Sequence, residues 1–258
     1  MSNSARTDVS PAAVTEDSLL GGRVRFLQPV EGYRAAVDPV LLAASAPAQD
    51  GDRVLDLGCG AGAISLCLLA RVPGLTVTGI EQAPEMLDLA ERNAVLNGAT
   101  DRFKPHLGQV EARPPQFEQG AFDLVLANPP YLETDRADVP ESALKAAAHV
   151  EGEVPLTEWI EAAFRALCHK GKLAMVHRAD RLGDLLEPIQ KRFGGIEVHP
   201  LYSKPGRDAK RVIVMARKGV RTPLSLSSGL VLHNMDGSYS PPVAAALDGA
   251  ALALGEPL

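Results

Sequence analysis

Short apolar segments alternate along the chain with longer segments of helical periodicity, and this alternation constrains the fold more than any other feature. The predicted strands are residues 53–57, 75–81, 102–108, 122–127, 172–177, 196–202 and 211–217. The predicted helices are residues 62–72, 83–98, 156–171 and 180–195. Strands alternating with helices of this length form parallel sheets with both faces covered. We therefore predict an α/β fold with a doubly wound, mostly parallel, seven-stranded sheet, in which the last strand is antiparallel.

The domain organisation follows from where this alternation begins and ends. Residues 1–34 are predicted to be an N-terminal lead-in that is partly disordered, because residues 1–17 are polar and contain Pro, Ser and Thr. Residues 35–258 are predicted to form one domain. Its C-terminal appendage, residues 219–258, has the composition of loops and is expected to pack on the domain and to contain a helix. Ligands of doubly wound sheets bind outside the carboxyl ends of the strands.

Composition and charge exclude several classes of protein. The formal net charge of −6 excludes a uniformly basic nucleic-acid-binding protein, although a local basic patch remains compatible with it. The three cysteines form neither a CxxC pair nor a metal-ligand cluster, which favours a reducing, cytoplasmic location without a metal. The chain has no run of about 18 apolar residues, so no membrane partner is expected. The oligomeric state is not predicted.

A glycine-rich turn, "VLDLGCGAGAIS", follows the first predicted strand and places Asp56, Gly58, Gly60 and Gly62 at its carboxyl end. Glycines let the backbone turn tightly and approach a ligand closely. Glu81 ends the second strand, where a carboxylate can accept both hydroxyls of a ribose. This pattern fits both NAD and S-adenosylmethionine. Asp56 favours S-adenosylmethionine, because a carboxylate there would repel the pyrophosphate of NAD and attract the ammonium group of the methyl donor.

The segment "FDLVLANPPYLE" ends a predicted core strand with Asn128, Pro129, Pro130 and Tyr131. The Asn128 side-chain oxygen and the Pro129 carbonyl can accept hydrogen bonds from an exocyclic amine, and prolines add no competing donors. Tyr131 offers a flat face on which a planar substrate can stack. Since a sulfonium is already a strong electrophile, holding the amine in line supplies most of the catalysis. We interpret these four residues as catalytic.

Together these motifs resemble those of a known family. The glycine turn and its downstream acid resemble the first two motifs of class I methyltransferases. The tetrad is similar to the N-P-P-Y motif of family members that methylate adenine N6, cytosine N4 or the glutamine side-chain amide. The segment "GYRAAVDPVLLAA" resembles the helix that closes over the cofactor in amino-methylating members. The resemblance implies a Rossmann-like fold and S-adenosylmethionine as cofactor. The implied cofactor-binding residues are Tyr33, Asp38, Asp56, Gly58, Gly60, Gly62, Glu81, Gln82, Gln109, Val110 and Asn128.

The sequence departs from the family pattern at one of these positions. Gln109 stands after the third strand, where the family usually has an acidic residue near the cofactor adenine. An amide can still form a hydrogen bond with the adenine amine. The residue that contacts the adenine is therefore left open.

A basic segment indicates the substrate. Residues 204–221 contain seven basic side chains and one acid, a candidate phosphate-binding surface on an acidic chain. The candidate RNA-binding residues are Lys204, Arg207, Lys210 and Arg211. Across most of its length, including the closing "LVLHNMDGSYSPPVAAALDGA", the chain resembles the tRNA adenine-N6 methyltransferases that modify the adenosine beside the anticodon of a valine tRNA. This resemblance implies tRNA as the partner.

Four other functions remain open on the residues alone. The first is a protein-glutamine N5 methyltransferase acting on release factors, which is disfavoured because only about 35 residues precede the first cofactor motif and a recruiting domain is missing. DNA adenine methylation is disfavoured by the absence of a sizeable target-recognition insertion. The chain could also be a non-catalytic module that binds S-adenosylmethionine or RNA. An NAD-dependent dehydrogenase is the fourth.

Overall fold

The computed structural model describes residues 13–30, 37–110, 119–130 and 154–254. The strands in these ranges are β1 (Val14–Leu19), β2 (Val24–Pro29), β3 (Arg53–Leu57), β4 (Thr76–Glu81), β5 (Phe103–Leu107), β6 (Phe122–Ala127), β7 (Leu167–Arg178), β8 (Phe193–Tyr202), β9 (Ala209–Lys218), β10 (Ser225–Leu226) and β11 (Leu230–Val231). The helices are α1 (Val37–Ser45), α2 (Ala63–Arg71), α3 (Pro84–Leu96), α4 (Leu156–Ala166), α5 (Leu182–Arg192) and α6 (Pro241–Leu247). A 3₁₀ turn at Ala179–Arg181 precedes α5.

One large sheet organises the described part of the chain. Its strand order is β10-β8-β9-β7-β6-β3-β4-β5, and β11 also pairs with β8. The seven long strands are those predicted, and β9, the last of them, runs antiparallel to β7 and β8. The prediction of a mostly parallel sheet with an antiparallel last strand is therefore confirmed. The two additional strands are two-residue pairings along β8, contributed by the predicted appendage.

Helices cover both faces of the sheet because successive strand residues point to opposite sides. In β6, Leu124 and Leu126 belong to the core beneath α1, α2 and α3. Val125 and Ala127 belong to the core beneath α4 and α5. All four side chains are fully buried. The continuous apolar sequence of β6 is thus explained by burial on both faces.

The predicted helix over 156–171 is wrong in its second half. Helix α4 ends at Ala166, and Leu167 begins β7, where it pairs with Phe122. The Lys218 ammonium donates hydrogen bonds to the Phe164 and Leu167 carbonyls, 2.7 and 2.6 Å away, and so satisfies acceptors at the helix end. The apolar residues after 166 continue the helical pattern in sequence, but long-range sheet pairing decides their conformation.

Residues 14–17, in the polar part of the predicted lead-in, form part of β1. Strands β1 and β2 are an antiparallel hairpin, with Val14 opposite Pro29 and Leu19 opposite Val24. The side chains of Leu20, Val24 and Phe26 are buried in the same core as helices α1 to α3. Apolar burial therefore orders this hairpin, although its first strand is polar in sequence.

Asn93 of α3 and Asn97, the residue that follows the helix, cover the edge of β2 that β1 leaves unpaired. The Asn93 amide accepts the Leu27 N–H at 2.7 Å and donates to the Leu27 carbonyl at 2.9 Å. Asn97, one helical turn later, makes the same pair of bonds to Arg25, at 2.9 and 2.7 Å. Asn93 is fully buried and also donates to the Ala61 carbonyl in the glycine turn, 3.0 Å away. The two amides thus form the backbone hydrogen bonds that a further strand would form with β2.

We expect Asn93→Leu to lower the free energy of unfolding by roughly 3 kcal/mol, because it leaves three backbone groups without partners, at about 1–3 kcal/mol for a buried group. Asn97→Leu is the matched control. Its site is half-buried and water can replace the lost bonds, so a loss of about 1 kcal/mol is expected. Urea unfolding of both variants measures the difference. Equal losses would contradict a special role for Asn93.

The predicted appendage packs on the domain. Helix α6 buries Val243 and Ala246 completely. The Arg71 guanidinium donates to the Ala246 carbonyl at 2.6 Å, and the Leu252 N–H donates to the Ala44 carbonyl at 2.9 Å. These contacts connect the appendage to α1 and α2. None of the helices in the described ranges has the length and apolar character needed to cross a bilayer.

Candidate active site

Three adjacent strands end side by side and bring the predicted motifs to one edge of the sheet. Leu57 of β3 pairs with Ile80 of β4 on one side and with Ala127 of β6 on the other. The next residues along these strands are Gly58, Glu81 and Asn128. Because neighbouring strands lie about 4.8 Å apart, the three residues span roughly 10 Å of this edge.

A cavity of about 230 Å³ opens in front of these strand ends. The predicted site residues that line it are Gly58, Gly60, Glu81, Gln82, Val110, Asn128 and Pro130. The Asn128 side-chain oxygen is buried there. Pro129 is buried beside it, whereas Pro130 is exposed. The glycine turn, the acid of the second strand and the Asn-Pro-Pro segment therefore surround a single cavity.

The glycines of the turn are needed because neighbouring rings occupy the space of a side chain. Gly58 has φ +67°, and a Cβ atom there would lie 2.5 Å from the Trp159 ring. Gly62, the residue before α2, has φ +90°, and its Cβ atom would lie 2.7 Å from the Phe103 ring. Both φ values lie in the left-handed region that favours glycine. Gly62 does not line the cavity, so its contribution is to the turn itself.

The Glu81 carboxylate holds the turn in place from the next strand. One oxygen accepts the Gly60 N–H and the other accepts the Ala83 N–H, both at 2.8 Å. A carboxylate can accept about four hydrogen bonds, so Glu81 keeps capacity for hydroxyl groups in the cavity. The predicted contact with a ribose is compatible with this geometry and stays a prediction.

Asp56 lies beneath the turn and does not line the cavity. It is fully buried, and one of its oxygens accepts the Ser65 hydroxyl of α2 at 2.7 Å. Its other oxygen, Oδ1, is buried and accepts no hydrogen bond from the residues that the structure describes. Burial raises the pKa of Asp56 to about 7, partly offset by Ser65, and the nearby Glu81 charge raises it further. The predicted attraction to an ammonium group would therefore act on a carboxyl that titrates near neutral pH.

We expect Asp56→Asn to change the pH dependence of stability. The unfolded carboxyl loses its proton near its ordinary pKa of 3.8, whereas the folded one keeps it until about pH 7. The folded state thus binds more protons between these values, and the free energy of unfolding falls as pH rises across this window. The variant lacks this fall, so its stability relative to wild type should grow by about 3 kcal/mol from pH 4 to pH 7.

Urea unfolding at several pH values measures this change. Asp101→Asn, which makes the same change from carboxyl to amide at an exposed position, is the matched control. Parallel profiles for Asp56→Asn and wild type would mean that the buried carboxyl is already ionised below neutral pH.

Asp38 and Arg211 were predicted to bind different ligands, cofactor and RNA, and the structure pairs them with each other. The Arg211 guanidinium lies 2.8 and 3.0 Å from the two Asp38 oxygens. The Asp38 side chain is 4% exposed and that of Arg211 21%. This ion pair joins the start of α1 to the start of β9. Pro39, the next residue of α1, lines the cavity in place of Asp38.

Two further predicted cofactor-binding residues, Gln109 and Val110, follow β5. Val110 is buried and lines the cavity, whereas its neighbour Gln109 is exposed and does not line it. The role predicted for Gln109 therefore lacks support from its position. Tyr33 and Tyr131 lie outside the described residues.

Sequence reasoning missed several residues that line the cavity. Trp159 of α4 packs over Gly58 and forms part of the cavity wall. Phe26, Gln28 and Pro29 reach the cavity from the hairpin. In β2, alternate residues (Val24, Phe26 and Gln28) are buried. The apolar residues at 24 and 26 could have predicted a strand, but the polar residues before them favoured a loop.

The predicted RNA-binding lysines and arginine lie at the same edge as Asn128. Lys204 and Arg207 belong to the loop over residues 203–208 that follows β8, and Lys210 starts β9. Because β8 and β7 are both antiparallel to β9, and β7 is parallel to β6, the loop after β8 is on the side of Asn128. Arg207 and Lys210 are exposed.

Within the described ranges, no group of three or more His, Cys, Asp or Glu side chains is arranged to hold a metal.

Comparisons with known proteins agree with this geometry. A family model described as a methyltransferase domain matches residues 48–193. A tRNA1(Val) (adenine(37)-N6)-methyltransferase of Porphyromonas gingivalis is 30% identical over 219 residues, covering 81% of this chain and 84% of the relative. A release factor glutamine methyltransferase of Chlorobaculum tepidum is 28% identical over 65% of this chain and 59% of that relative. The solved structure of a predicted O-methyltransferase from Agrobacterium tumefaciens superimposes with a TM-score of 0.70 and 26% identity, covering 83% of this chain and 97% of that one.

Proposed function

The chain belongs to the family of S-adenosylmethionine-dependent methyltransferases, and we propose that it methylates the N6 amine of an adenosine in the anticodon loop of a valine tRNA. The observation that carries this proposal is the position of Asn128, which borders the same cavity as the glycine turn and Glu81. The relative from Porphyromonas gingivalis, which matches most of this chain, supports the choice of substrate.

The residues around the cavity fit the cofactor. Gly58 and Gly60 bring backbone without side chains to its wall, and Glu81 retains acceptor capacity for ribose hydroxyls. Ile80, Val110 and Trp159 provide apolar surface suited to an adenine ring. When bound, S-adenosylmethionine supplies an electrophilic methyl group on a positively charged sulfur.

The task left to the protein is to orient the substrate amine. Asn128 and the Pro129 carbonyl accept hydrogen bonds from the two amine hydrogens and so direct the nitrogen toward the methyl group. Hydrogen bonding to these acceptors shifts electron density onto the nitrogen, which conjugation with the ring otherwise withdraws. Fixing the two reactants in line removes the entropy cost of a bimolecular encounter.

Two observations support an RNA substrate over a protein glutamine. Arg207 and Lys210 are exposed at the edge of the sheet that contains Asn128, where they can contact phosphates. The chain also matches 84% of the length of the tRNA-modifying relative but only 59% of that of the release-factor enzyme. The cytoplasmic location predicted from the cysteines is consistent with such a substrate and stays a prediction.

The test is to incubate the full-length protein with methyl-labelled S-adenosylmethionine and one of three acceptors: a transcribed valine tRNA, the same tRNA with guanosine in place of the adenosine beside the anticodon, and a release factor. We expect label only in the first. Label only in the release factor would replace the proposal with the glutamine alternative. Equal labelling of both tRNAs would refute the proposed position.

A further inference from the structure

The C-terminal appendage brings a compact turn to the edge of the sheet where the substrate is expected. We call residues 233–239 the aromatic turn. Strand β11 runs alongside the end of β8, and the contact continues beyond it. The Leu232 N–H donates to the Tyr202 carbonyl at 2.8 Å, and the His233 N–H donates to the Ser203 carbonyl at 3.1 Å. The aromatic turn therefore adjoins the basic loop over residues 203–208.

Internal hydrogen bonds hold the aromatic turn in one conformation. The Asn234 N–H donates to the Ser238 carbonyl at 2.8 Å. The Asp236 carboxylate accepts the Ser238 N–H and hydroxyl at 2.9 and 2.6 Å. After the turn, the Ser240 hydroxyl donates to the Val231 carbonyl at 2.6 Å. Because the turn is already ordered, a ligand binding to it avoids the entropy cost of ordering a loop.

The aromatic turn exposes groups that folding alone would bury. Met235 is 73% exposed and Tyr239 is 40% exposed. The Tyr239 ring stacks on the His233 ring, with centroids 4.8 Å apart and an angle of 27° between the planes. His233 is itself fixed by its Nδ1 atom, 3.2 Å from the Ser203 carbonyl. A supported, partly exposed aromatic ring beside a flexible thioether is suited to contact with a planar group.

Positively charged side chains lie in the basic loop that adjoins the aromatic turn. Lys204 donates to the Met235 carbonyl at 3.4 Å and so connects the basic loop to the aromatic turn. Arg207 and Lys210 are exposed on the same side. Two acids, Asp208 and Asp236, lie in the same segments. Hydrogen bonds from Ser238 lower the pKa of Asp236, and the charge of Lys204 lowers it further. Cationic side chains interleaved with an exposed aromatic ring favour a nucleic acid over a protein partner.

We propose that the aromatic turn and the basic loop form one surface that binds the tRNA substrate, with Tyr239 stacking on an unpaired base near the target adenosine. This inference rests on the function proposed above. Strand β11, which leads into the aromatic turn, pairs with the edge of β8 that faces away from β9 and so lies four strand spacings, about 19 Å, from β6, which Asn128 follows. A few nucleotides of an anticodon loop span that distance. Splayed single-stranded bases stacked on aromatic side chains are how proteins commonly recognise RNA loops.

The test compares three variants of the full-length protein for the dissociation constant of valine tRNA and for methylation kinetics. Tyr239→Ala should weaken tRNA binding about tenfold and raise KM for tRNA, with kcat and S-adenosylmethionine affinity maintained. Tyr239→Phe keeps the ring and should restore binding. Val95→Ala removes an apolar side chain of α3 that is 69% exposed and distant in sequence from the aromatic turn, and it is the control. If Tyr239→Ala loses tRNA binding and Tyr239→Phe loses it equally, the proposed stacking of Tyr239 on a base is overturned.

A second substitution on the same surface keeps the test decisive if Tyr239→Ala fails to fold. Met235→Glu changes a side chain that is largely in solvent and places a negative charge beside the expected phosphates, so it should also weaken tRNA binding, whereas Met235→Lys should not. Wild-type tRNA affinity in both Tyr239→Ala and Met235→Glu would refute the inference while tRNA methylation persists. Failure of the wild type to methylate tRNA would refute the proposed function itself. Variants that lose release-factor binding and not tRNA binding would assign the surface to a protein.

Discussion

Asn128→Ala is expected to lower kcat for methyl transfer by about 10²–10³-fold, the usual effect of removing one oriented hydrogen-bonding group from a catalytic site. The side chain contributes an acceptor at the end of β6, beside the glycine turn. Its removal leaves the amine free to rotate and lets water solvate it. The glycine turn and Glu81 are unaffected, so the dissociation constant of S-adenosylmethionine should change by no more than about threefold, less than 1 kcal/mol.

The isosteric variant Asn128→Asp provides the matched control. A carboxylate keeps an acceptor oxygen in the same place, so this variant should retain more activity than Asn128→Ala. Single-turnover kinetics with saturating cofactor separate the chemical step from binding. A rate within tenfold of wild type for Asn128→Ala would show that the amide does not orient the amine. A large loss of cofactor affinity would instead assign Asn128 to cofactor binding.

Gly58→Ala is expected to destabilise the fold by roughly 3 kcal/mol and to weaken binding of S-adenosylmethionine at least tenfold. Two costs add together. A left-handed backbone costs a residue with a Cβ atom about 1–2 kcal/mol. Overpacking costs about 1–3 kcal/mol more, because the new methyl group would lie 2.5 Å from the Trp159 ring. Since Trp159 also lines the cavity, displacement of its ring changes the shape of the site.

Gly98→Ala separates the two costs. Gly98 has φ +60°, close to the +67° of Gly58, and an added Cβ atom would meet nothing within 4 Å. This control should therefore show only the backbone cost and normal cofactor affinity. Urea unfolding and calorimetric titration measure both quantities. Equal destabilisation of the two variants would mean that the Trp159 ring moves aside at no cost.

The parts of the fold that depend on local pattern could be predicted from the sequence. β3 and β6 have the predicted limits, because each is a short, mainly apolar segment followed by turn-forming residues. The meeting of Gly58 and Asn128 also follows from sequence, since parallel strands end at a common edge. These arguments need only periodicity and strand direction.

The parts that depend on distant partners could not be predicted in this way. Leu167 continues a helical pattern but joins the sheet opposite Phe122. Asp38 and Arg211 are 173 positions apart, and neither local sequence indicates that the two side chains form an ion pair. The same holds for Trp159, whose place over Gly58 depends on how α4 crosses the sheet.

The amide of Asn93 has a consequence for motion as well as for stability. Because one side chain bonds to Leu27 in the hairpin and to Ala61 beside the cofactor cavity, neither segment can open without weakening the other. The hairpin, helix α3 and the glycine turn should then exchange their amide hydrogens with solvent as one cooperative unit. Occupancy of the cavity would slow exchange in strands β1 and β2 as well, although β1 belongs to a separate two-stranded sheet.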